Sequence, residues 1–325
     1  MRAVICHGFE GADALTVERR PIPIPASGEV RVKVVAAGVN FADMLMVSGR
    51  YQVKPQLPFV PGSEFCGIID ALGPDVEGWS VGEAVMGASV EGGYYAEYGC
   101  ALAKRLARWP EGLPPGVAAG MFIGHGTAWF GLLRRGDLQP GETVLVTGAG
   151  GGVGVPAIEV AKRAGAFVIA GASSAEKLEV ARTHGADALI NYATGDLREQ
   201  VLSLTGGRGY DLLFDTIGGD LFDQALRCAA PYARLLVVGF ASGRIPAVPA
   251  NRLLLKNISV VGVGGHVVTL GAGDELRRQV EALAGLHAQA PFTSAVTAEY
   301  GLDDAAIALA RLANRDVVGK LLVRP

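Results

Sequence analysis

The sequence predicts an α/β protein with a strand-rich first part and a doubly wound parallel sheet in its second part. Its 325 residues fit two domains at about 150 residues each. Up to about residue 120, short apolar runs alternate with turn signals; beyond it, apolar runs alternate with helical patterns. A parallel connection needs a crossover long enough to hold a helix, so this alternation predicts a parallel sheet covered on both faces.

The first part, residues 1–120, is predicted to be an all-β barrel or sandwich. In residues 29–35, valines alternate with charged side chains, which is the period of a half-buried strand. Glycine-proline and glycine-glycine pairs separate the other short apolar runs. Further strands are predicted at residues 2–6, 67–72 and 83–86.

The second part, residues 121–262, follows the breaker-rich segment 110–116 and is predicted to hold the parallel sheet. Its strands are predicted at residues 143–147, 167–170, 188–190, 212–214, 235–238 and 258–261, with helices at 153–164 and 175–184. A tail, residues 263–325, is predicted to contain helices 274–287 and 302–313 and a closing strand 320–323. We expect this tail to return to the first domain.

A glycine-rich loop follows the first strand of this sheet and carries five of the 46 glycines. In the dinucleotide fingerprint, one small residue permits a tight turn, a second lets the backbone approach the diphosphate, and a third lets the helix pack on the strand. Ala149, Gly151 and Gly154 stand at these three places. The following helix would present its free N–H groups to the diphosphate. A strand before the loop and a helix after it therefore predict a nucleotide site.

The end of the second strand of the sheet indicates which nucleotide is bound. An acidic residue there would hold the ribose 2′-hydroxyl of NAD. This chain instead has small hydroxyl residues, including Ser173, followed by Lys177, and Glu176 is expected inside the next helix. Hydroxyls and a lysine suit a 2′-phosphate, so the sequence favours NADP over NAD.

Charge and hydropathy exclude several partner classes. The chain has 29 basic and 32 acidic residues and no basic stripe, so neither nucleic acid nor an anionic membrane is an expected partner. The stretch taken as the most apolar, residues 143–158, carries no charge, but it holds five glycines and Pro156, which makes it too short and too broken for a bilayer span. The residues after Arg2 lack the pattern of a signal peptide. We therefore expect a cytoplasmic protein.

Cysteine and histidine spacing predicts neither a disulfide framework nor a dedicated metal site. The four cysteines are far apart and form no CxxC pair. The five histidines are scattered and include no HExxH motif.

Several motifs together resemble one family, the zinc-free quinone oxidoreductase branch of the medium-chain dehydrogenase/reductase superfamily. The resemblance spans nearly the whole chain and rests on AGVNFAD at 37–43, LPFVPGSE at 57–64, GGYYAEY at 92–98, the loop AGGGVG at 149–154, NY at 191–192 and DTIGG at 215–219. It implies a GroES-like β-barrel catalytic domain, a Rossmann doubly wound domain, an active site in the cleft between them, and a homodimer formed through the Rossmann domain.

The resemblance also implies roles for individual residues. The catalytic residues would be Asn40, Asp43 and Tyr51, the last because Leu45 stands where several relatives have a tyrosine. The cofactor NADPH (NADP) would contact Asn40, Thr127, Ala149, Gly150, Gly151, Gly152, Val153, Gly154, Ser173, Lys177, Tyr192, Gly239, Phe240, Gly262, Val263, Arg315 and Lys320. Plainer interpretations stay open. Asn40 and Asp43 could cap a helix, Tyr192 could be a packed aromatic, and Arg315 and Lys320 could be surface charges.

Two positions bear on zinc. Zinc-dependent relatives use a cysteine where this sequence has Asn40 and a histidine where it has Ser63, and neither replacement is a good zinc ligand. Without a metal to stabilise an alkoxide, alcohol oxidation is disfavoured. The sequence therefore predicts a zinc-independent enzyme.

The resulting hypothesis is that NADPH reduces a quinone while the protein binds, orients and excludes water. A second hypothesis is the reduction of an activated alkene, such as an enal, an enone or an acryloyl thioester. A third is a protein that binds NADPH with little turnover, since fold and motif alone do not prove catalysis.

Overall fold

The computed structural model describes residues 1–265, 274–293 and 295–325, which fall into two compact units. Unit 1 comprises residues 1–123, the described part of 266–284, and 296–325. Unit 2 comprises residues 124–265 and the described part of 285–295. The tail is therefore divided. Of its described residues, 274–284 and 296–325 belong with the N-terminal residues, and a short stretch after residue 284 belongs to unit 2.

Unit 1 is built mainly from antiparallel strands. One two-stranded sheet pairs β1 (Arg2–Cys6) with β2 (Leu15–Arg19). In the part of the chain that the structure describes, the larger sheet has seven strands: β3 (Glu29–Val39), β4 (Glu64–Leu72), β5 (Ala84–Ala88), β6 (Tyr98–Leu102), β7 (Leu106–Arg108), β14 (Val296–Gly301) and β15 (Lys320–Arg324). Its order is β14-β15-β3-β4-β5-β7, and β6 also pairs with β3.

The long strand β3 is the centre of this sheet because it pairs with β4, β6 and β15. The predicted period-two pattern is confirmed here: Val30, Val32 and Val34 are buried in the core of unit 1. The predicted closed barrel is not seen. Within the described residues the strand path is open, with β14 at one end and β7 at the other.

Among the described residues of unit 1, four α-helices lie wholly or partly in the unit: α1 (Phe41–Val47), α2 (Pro115–Gly120), α9 (Asp274–Gln289) and α10 (Ala305–Ala313). Helix α10 buries Ala308 and Leu309 in the same core as Met46 and Val47 of α1. The C-terminal part of the chain thereby supplies both a helix and two strands to the N-terminal unit.

Unit 2 contains the predicted doubly wound sheet, whose six strands within the described residues are all parallel. They are β8 (Thr143–Thr147), β9 (Phe167–Ala172), β10 (Ala188–Asn191), β11 (Tyr210–Asp215), β12 (Ala229–Val237) and β13 (Ser259–Gly262). The order is β10-β9-β8-β11-β12-β13. The strand order reverses between β8 and β11, and ligands of such sheets bind outside the carboxyl ends of the strands at that point.

Helices α3 (Gly126–Trp129), α4 (Gly154–Arg163), α5 (Ala175–Thr183), α6 (Leu197–Leu204), α7 (Gly219–Arg227) and α8 (Ala250–Lys256) belong to unit 2. Helices α2 and α3 are parts of one longer helix, Pro115–Arg135, which also has π-helical turns at Met121–His125 and Phe130–Arg135. Among the described residues it is the one helix long and apolar enough to cross a membrane by length and composition, and 72% of its most apolar window is buried inside the protein.

Candidate functional site

The glycine loop, residues 148–154, joins β8 to α4 and is held in a shape that excludes side chains. Gly148 has a φ of +70°, which L-residues rarely adopt. A Cβ atom on Gly148 would lie 2.3 Å from Thr216 Oγ1, and one on Gly154 would lie 2.2 Å from the Gly148 carbonyl oxygen. Helix α4 therefore packs directly on the end of β8, as the third place of the fingerprint requires.

The second place of the fingerprint, Gly151, is more open. A Cβ atom there would meet only the Gly148 carbonyl oxygen, at 3.4 Å. The loop is attached to β9, because the Ala149 N–H donates to the Gly171 carbonyl oxygen at 3.0 Å. Pro156 lies in the first turn of α4, where its missing N–H costs no helical hydrogen bond. The outer side of the loop and the first turn of α4 can therefore accept an anionic group.

The residues predicted to hold a 2′-phosphate follow β9 and β10, next to the loop. Ser173 is exposed between β9 and α5. Lys177 lies in the first turn of α5, where its backbone N–H donates to Ser174 Oγ at 3.3 Å. A Cβ atom on Gly150 would lie 2.6 Å from Lys177 Cβ, and one on Gly171 would lie 3.4 Å from a ring carbon of Tyr192. The structure thus brings Ser173, Lys177 and Tyr192 to the strand ends beside the glycine loop.

The remaining predicted cofactor residues of unit 2 follow later strands. Gly239 and Phe240 come after β12, and the Gly239 N–H donates to the Asp215 carbonyl oxygen at 3.2 Å. Gly262 ends β13, and its carbonyl oxygen accepts a hydrogen bond from Arg135 Nε at 3.2 Å. Val263 is buried. All of these residues lie at the carboxyl ends of the sheet, the edge at which ligands of doubly wound folds bind.

Thr127 and Arg315 are placed differently. Thr127 lies half-buried in α3, where its Oγ1 would be 3.3 Å from a Cβ atom on Gly265. Arg315 is an exposed residue of unit 1 just after α10, with a φ of +58°. Asn40, Asp43, Tyr51 and Lys320 also belong to unit 1. Their predicted contacts with cofactor or substrate stay predictions.

Within unit 1, Lys320 is part of a buried polar cluster around Glu64. The Lys320 ammonium donates to the Glu64 carboxylate and, at 2.7 Å, to Asn40 Oδ1. Asn40 Nδ2 donates to Glu64 Oε1 at 3.0 Å, and the Ile123 N–H donates to Glu64 Oε2 at 2.9 Å. The side chain of Lys320 is 8% exposed, so the interpretation as a surface charge is wrong. Its ammonium neutralises Glu64 inside the unit.

Asp43 lies fully buried beside this cluster. Its Oδ2 accepts hydrogen bonds from the Asn40 N–H at 2.9 Å and the Tyr95 hydroxyl at 3.1 Å. Asn40 is the N-cap residue of α1 and Asp43 completes the capping box three residues later, so the capping interpretation is confirmed for both; the Asn40 side chain also bonds to Glu64 and Lys320. Asp43 Oδ1 and Ser63 Oγ are buried without a hydrogen-bond partner among the described residues. Burial raises the pKa of Asp43 to about 6, although the nearby Ser63 hydroxyl, the Asn40 N–H and the Lys320 charge lower it.

Tyr51 packs half-buried against the core of unit 1. Burial, and secondarily the charge of Asp43, raises the pKa of its hydroxyl. Tyr51 therefore keeps its proton at neutral pH.

Sequence reasoning missed Glu64, the centre of this cluster, and Tyr95, which donates to Asp43 beside it. Both lie inside motifs quoted for the family resemblance, but no role was assigned to them. A glutamate at the start of an apolar strand is a signal that could have found the cluster, since glutamate is almost never fully buried unless it is paired. Among the residues that the structure describes, no group of three histidine, cysteine, aspartate or glutamate side chains is arranged to hold a metal ion.

Comparisons with known proteins extend over both units. The family model "Alcohol dehydrogenase GroES-like domain" matches residues 26–111, and "Zinc-binding dehydrogenase" matches residues 152–280. A curated relative, "Quinone oxidoreductase-like protein 2 homolog" of Nematostella vectensis, is 37% identical over 328 residues, covering 99% of this chain and 88% of the relative.

Two solved structures are similar over the whole chain. A mycobacterial protein in complex with NADPH has a TM-score of 0.92 and 33% identity, with 100% of both chains covered. The Escherichia coli quinone oxidoreductase in complex with NADPH has a TM-score of 0.90 and 28% identity, again with 100% of both chains covered.

The buried Asp43 gives a testable pH dependence. Its pKa is about 6 in the folded protein against 3.8 for the free side chain, so the folded state binds more protons between these values. Stability from this group is therefore present below about pH 4 and lost as the pH rises through 6, by about 3 kcal/mol in total. The Asp43→Asn variant cannot ionise there. We expect its unfolding free energy, relative to the unmodified protein, to rise between pH 4 and pH 6.5.

Chemical denaturation of both proteins across this pH range measures the difference. Asp75→Asn, at an exposed residue of the same unit, is the control and should give a nearly constant difference. A constant difference for Asp43→Asn as well would show that Asp43 ionises normally in the folded protein.

Proposed function

This chain belongs to the quinone oxidoreductase branch of the medium-chain dehydrogenase/reductase superfamily, and we propose that it reduces a quinone with NADPH and without zinc. The observation that carries the proposal is the glycine loop at the reversal of strand order, where α4 packs directly on β8. The complexes of two similar proteins with NADPH support the choice of cofactor.

The residues of unit 2 fit NADPH. Gly151 leaves the backbone accessible to a diphosphate, and the first turn of α4 offers N–H groups and a positive dipole end. No carboxylate lies between β9 and α5, where Ser173 stands; Lys177 lies in the first turn of α5, as does Glu176. When bound, NADPH supplies the reducing equivalents that an electron-poor acceptor takes up. The protein binds the cofactor, orients it and keeps water away.

Lys177 is the residue on which the preference for NADPH can be tested. Replacing it with alanine should remove one charge-assisted contact with the 2′-phosphate, worth about 1.5–3 kcal/mol, and raise the dissociation constant of NADPH about tenfold to a hundredfold. NADH binding should change little, because NADH has no 2′-phosphate. Nucleotide fluorescence titration measures both constants.

Two variants serve as controls for this prediction. Lys177→Arg keeps the charge and should retain most of the affinity for NADPH. Lys104→Ala changes the net charge equally at an exposed residue of unit 1 and should affect neither constant. Equal losses of NADPH and NADH affinity in Lys177→Ala would refute the proposed role.

The proposal of zinc independence rests on donor chemistry in unit 1. Asn40 uses its amide to bind Glu64 and accept a hydrogen bond from Lys320, and Ser63 offers only a hydroxyl. Amide and hydroxyl groups are poor ligands for Zn²⁺, which prefers thiolate and imidazole. These residues therefore do not fit a catalytic zinc, and we propose no reaction step that needs one.

A second candidate function is the reduction of an activated alkene. The observation that favours it is the half-buried hydroxyl of Tyr51 in unit 1, a group that carries a proton at neutral pH, because reduction of a conjugated alkene adds a proton to carbon. Asn40 and Asp43 remain the other proposed catalytic residues. A third candidate, NADPH binding with little turnover, needs no such group.

Steady-state oxidation of NADPH, measured with a panel of quinones and a panel of enals, enones and acryloyl thioesters, separates these candidates. We expect turnover with quinones, and metal analysis of the same preparation should find no stoichiometric zinc. Turnover only with alkenes would replace the quinone proposal by the second candidate. Binding without turnover on either panel would leave the third, and one zinc per chain would contradict the proposed chemistry.

We also propose a cytoplasmic homodimer, formed through unit 2. Strand β13 is the last strand of the parallel sheet in the described residues. Just before it, Leu254 and Leu255 of α8 are 78% and 73% exposed. An edge strand with apolar side chains beside it is a surface that proteins normally cover, and a second copy of this chain would cover it by symmetry.

Light scattering after size exclusion should give twice the mass of one chain. The double variant Leu254→Glu, Leu255→Glu should give the monomer, because the charges would be buried on pairing. Ile24→Glu, at a side chain of unit 1 that is 87% exposed, is the control and should remain dimeric. A monomeric unmodified protein would contradict the proposed dimer.

A further inference from the structure

A buried carboxylate stands at the reversal of strand order. Asp215 ends β11 and lies directly across from Thr147, the last residue of β8. It has no exposed surface. Its side chain makes no ion pair that the structure shows among the described residues. An aspartate in such a position needs other partners, because burying an unpaired charge is costly.

Neutral donors supply these partners. The Thr147 hydroxyl and the Ile217 N–H, at 3.1 Å, donate to Asp215 Oδ1, and the Gly218 N–H donates to Oδ2 at 2.9 Å. Burial raises the pKa of Asp215, and these three donors oppose the shift. The carboxylate is thus held by one side chain of β8 and by two backbone groups of its own following loop.

The same residue also connects the next loop. The Asp215 carbonyl oxygen accepts hydrogen bonds from the N–H groups of Val238 and Gly239, at 2.9 and 3.2 Å. Thr216 Oγ1 donates to the Thr147 carbonyl oxygen at 2.9 Å. Through these hydrogen bonds Asp215 and Thr216 connect the loops that follow β8, β11 and β12.

The glycine loop lies against this network. Any side chain on Gly148 would collide with Thr216 Oγ1 and would lie 3.0 Å from a methyl carbon of Ile217. The position of Gly148, and with it the start of the loop, is therefore set by residues 216 and 217. Ile217 is in turn bonded through its N–H to the Asp215 carboxylate, and Thr216 lies between these two residues in the chain.

We propose that Asp215 is a positioning residue for the nucleotide site: its carboxylate holds the strand ends of β8 and β11 so that the loop 148–154 and residues 238–240 keep the arrangement that receives the cofactor diphosphate. The inference rests on the proposed function in that NADPH is the ligand. It adds a buried residue that acts through Thr147, Thr216 and Gly148.

An aspartate suits this position better than an asparagine. Three donors converge on its two oxygens, so the side chain must accept at both ends. An asparagine would turn an NH₂ group toward at least one of those donors, and a buried donor facing a donor leaves both unsatisfied. The Asp215→Asn variant therefore keeps the size of the side chain and loses the acceptor.

Thr147 offers a milder pair of variants. Thr147→Val keeps the shape but removes the hydroxyl that donates to Asp215. Thr147→Ser keeps the hydroxyl and is the matched control. We expect Asp215→Asn and Thr147→Val to raise the dissociation constants of NADPH and NADH by the same factor, about tenfold or more, the size of one hydrogen bond to a charged group. Thr147→Ser should bind both within about twofold of the unmodified protein.

Fluorescence titration of each variant with NADPH and with NADH, and thermal unfolding without nucleotide, test the inference. An equal loss for both cofactors distinguishes positioning of the shared diphosphate from the selective loss expected for Lys177→Ala. Rescue by serine at position 147, with similar melting temperatures for the serine and valine variants, supports a positioning role over general loss of structure.

If Asp215→Asn fails to fold, the comparison of Thr147→Val with Thr147→Ser tests the inference. Unchanged affinity in Thr147→Val, with the unmodified protein binding NADPH, would overturn the inference alone. Failure of the unmodified protein to bind either nucleotide would overturn the proposed function and the inference with it.

Discussion

The close contact between α4 and β8 is the constraint on which the nucleotide end of unit 2 depends. The helix can begin where it does only because Gly154 has no side chain to meet the Gly148 carbonyl oxygen. The same contact aims the first turn of α4 at the carboxyl edge of the sheet. Gly150 in turn packs on Lys177, and Gly148 packs under Thr216. These glycines are needed less for flexibility than because neighbouring atoms occupy the space of a Cβ.

In unit 1 the buried polar site is built with charged side chains, whereas the glycine loop of unit 2 depends on side chains being absent. Glu64 and Lys320 are both buried, and such a pair costs desolvation unless further hydrogen bonds support it. Asn40 and the Ile123 N–H provide them. Asp43 adds a second carboxylate next to the cluster. Burial raises its pKa by more than the neighbouring hydrogen-bond donors and the Lys320 charge lower it. Predicted catalytic residues and structural charges thus share one hydrogen-bonded group.

Sequence patterns predicted unit 2 well because its signals are local. Strand β8 begins and ends at its predicted residues, and helices α4 and α5 begin within one residue of their own predicted starts. Strand β12 begins six residues before the predicted start, since Pro231 and Tyr232, with a φ of +65°, hide the strand pattern. The helix Pro115–Arg135 was not predicted at all, because its glycines lower helix propensity and only tertiary burial compensates.

The polar cluster escaped prediction for a different reason. Lys320 and Glu64 are 256 residues apart, and no local pattern relates them. That separation also orders events during synthesis. Domains generally fold as units as the chain emerges. Unit 2 can therefore form its parallel sheet before β15, the strand that carries Lys320, has been synthesised and can pair with β3. Residue 320 must therefore be synthesised before Glu64 meets its counter-ion, and until then the partners that the chain can offer Glu64 in this cluster are the neutral donors Asn40 and Ile123.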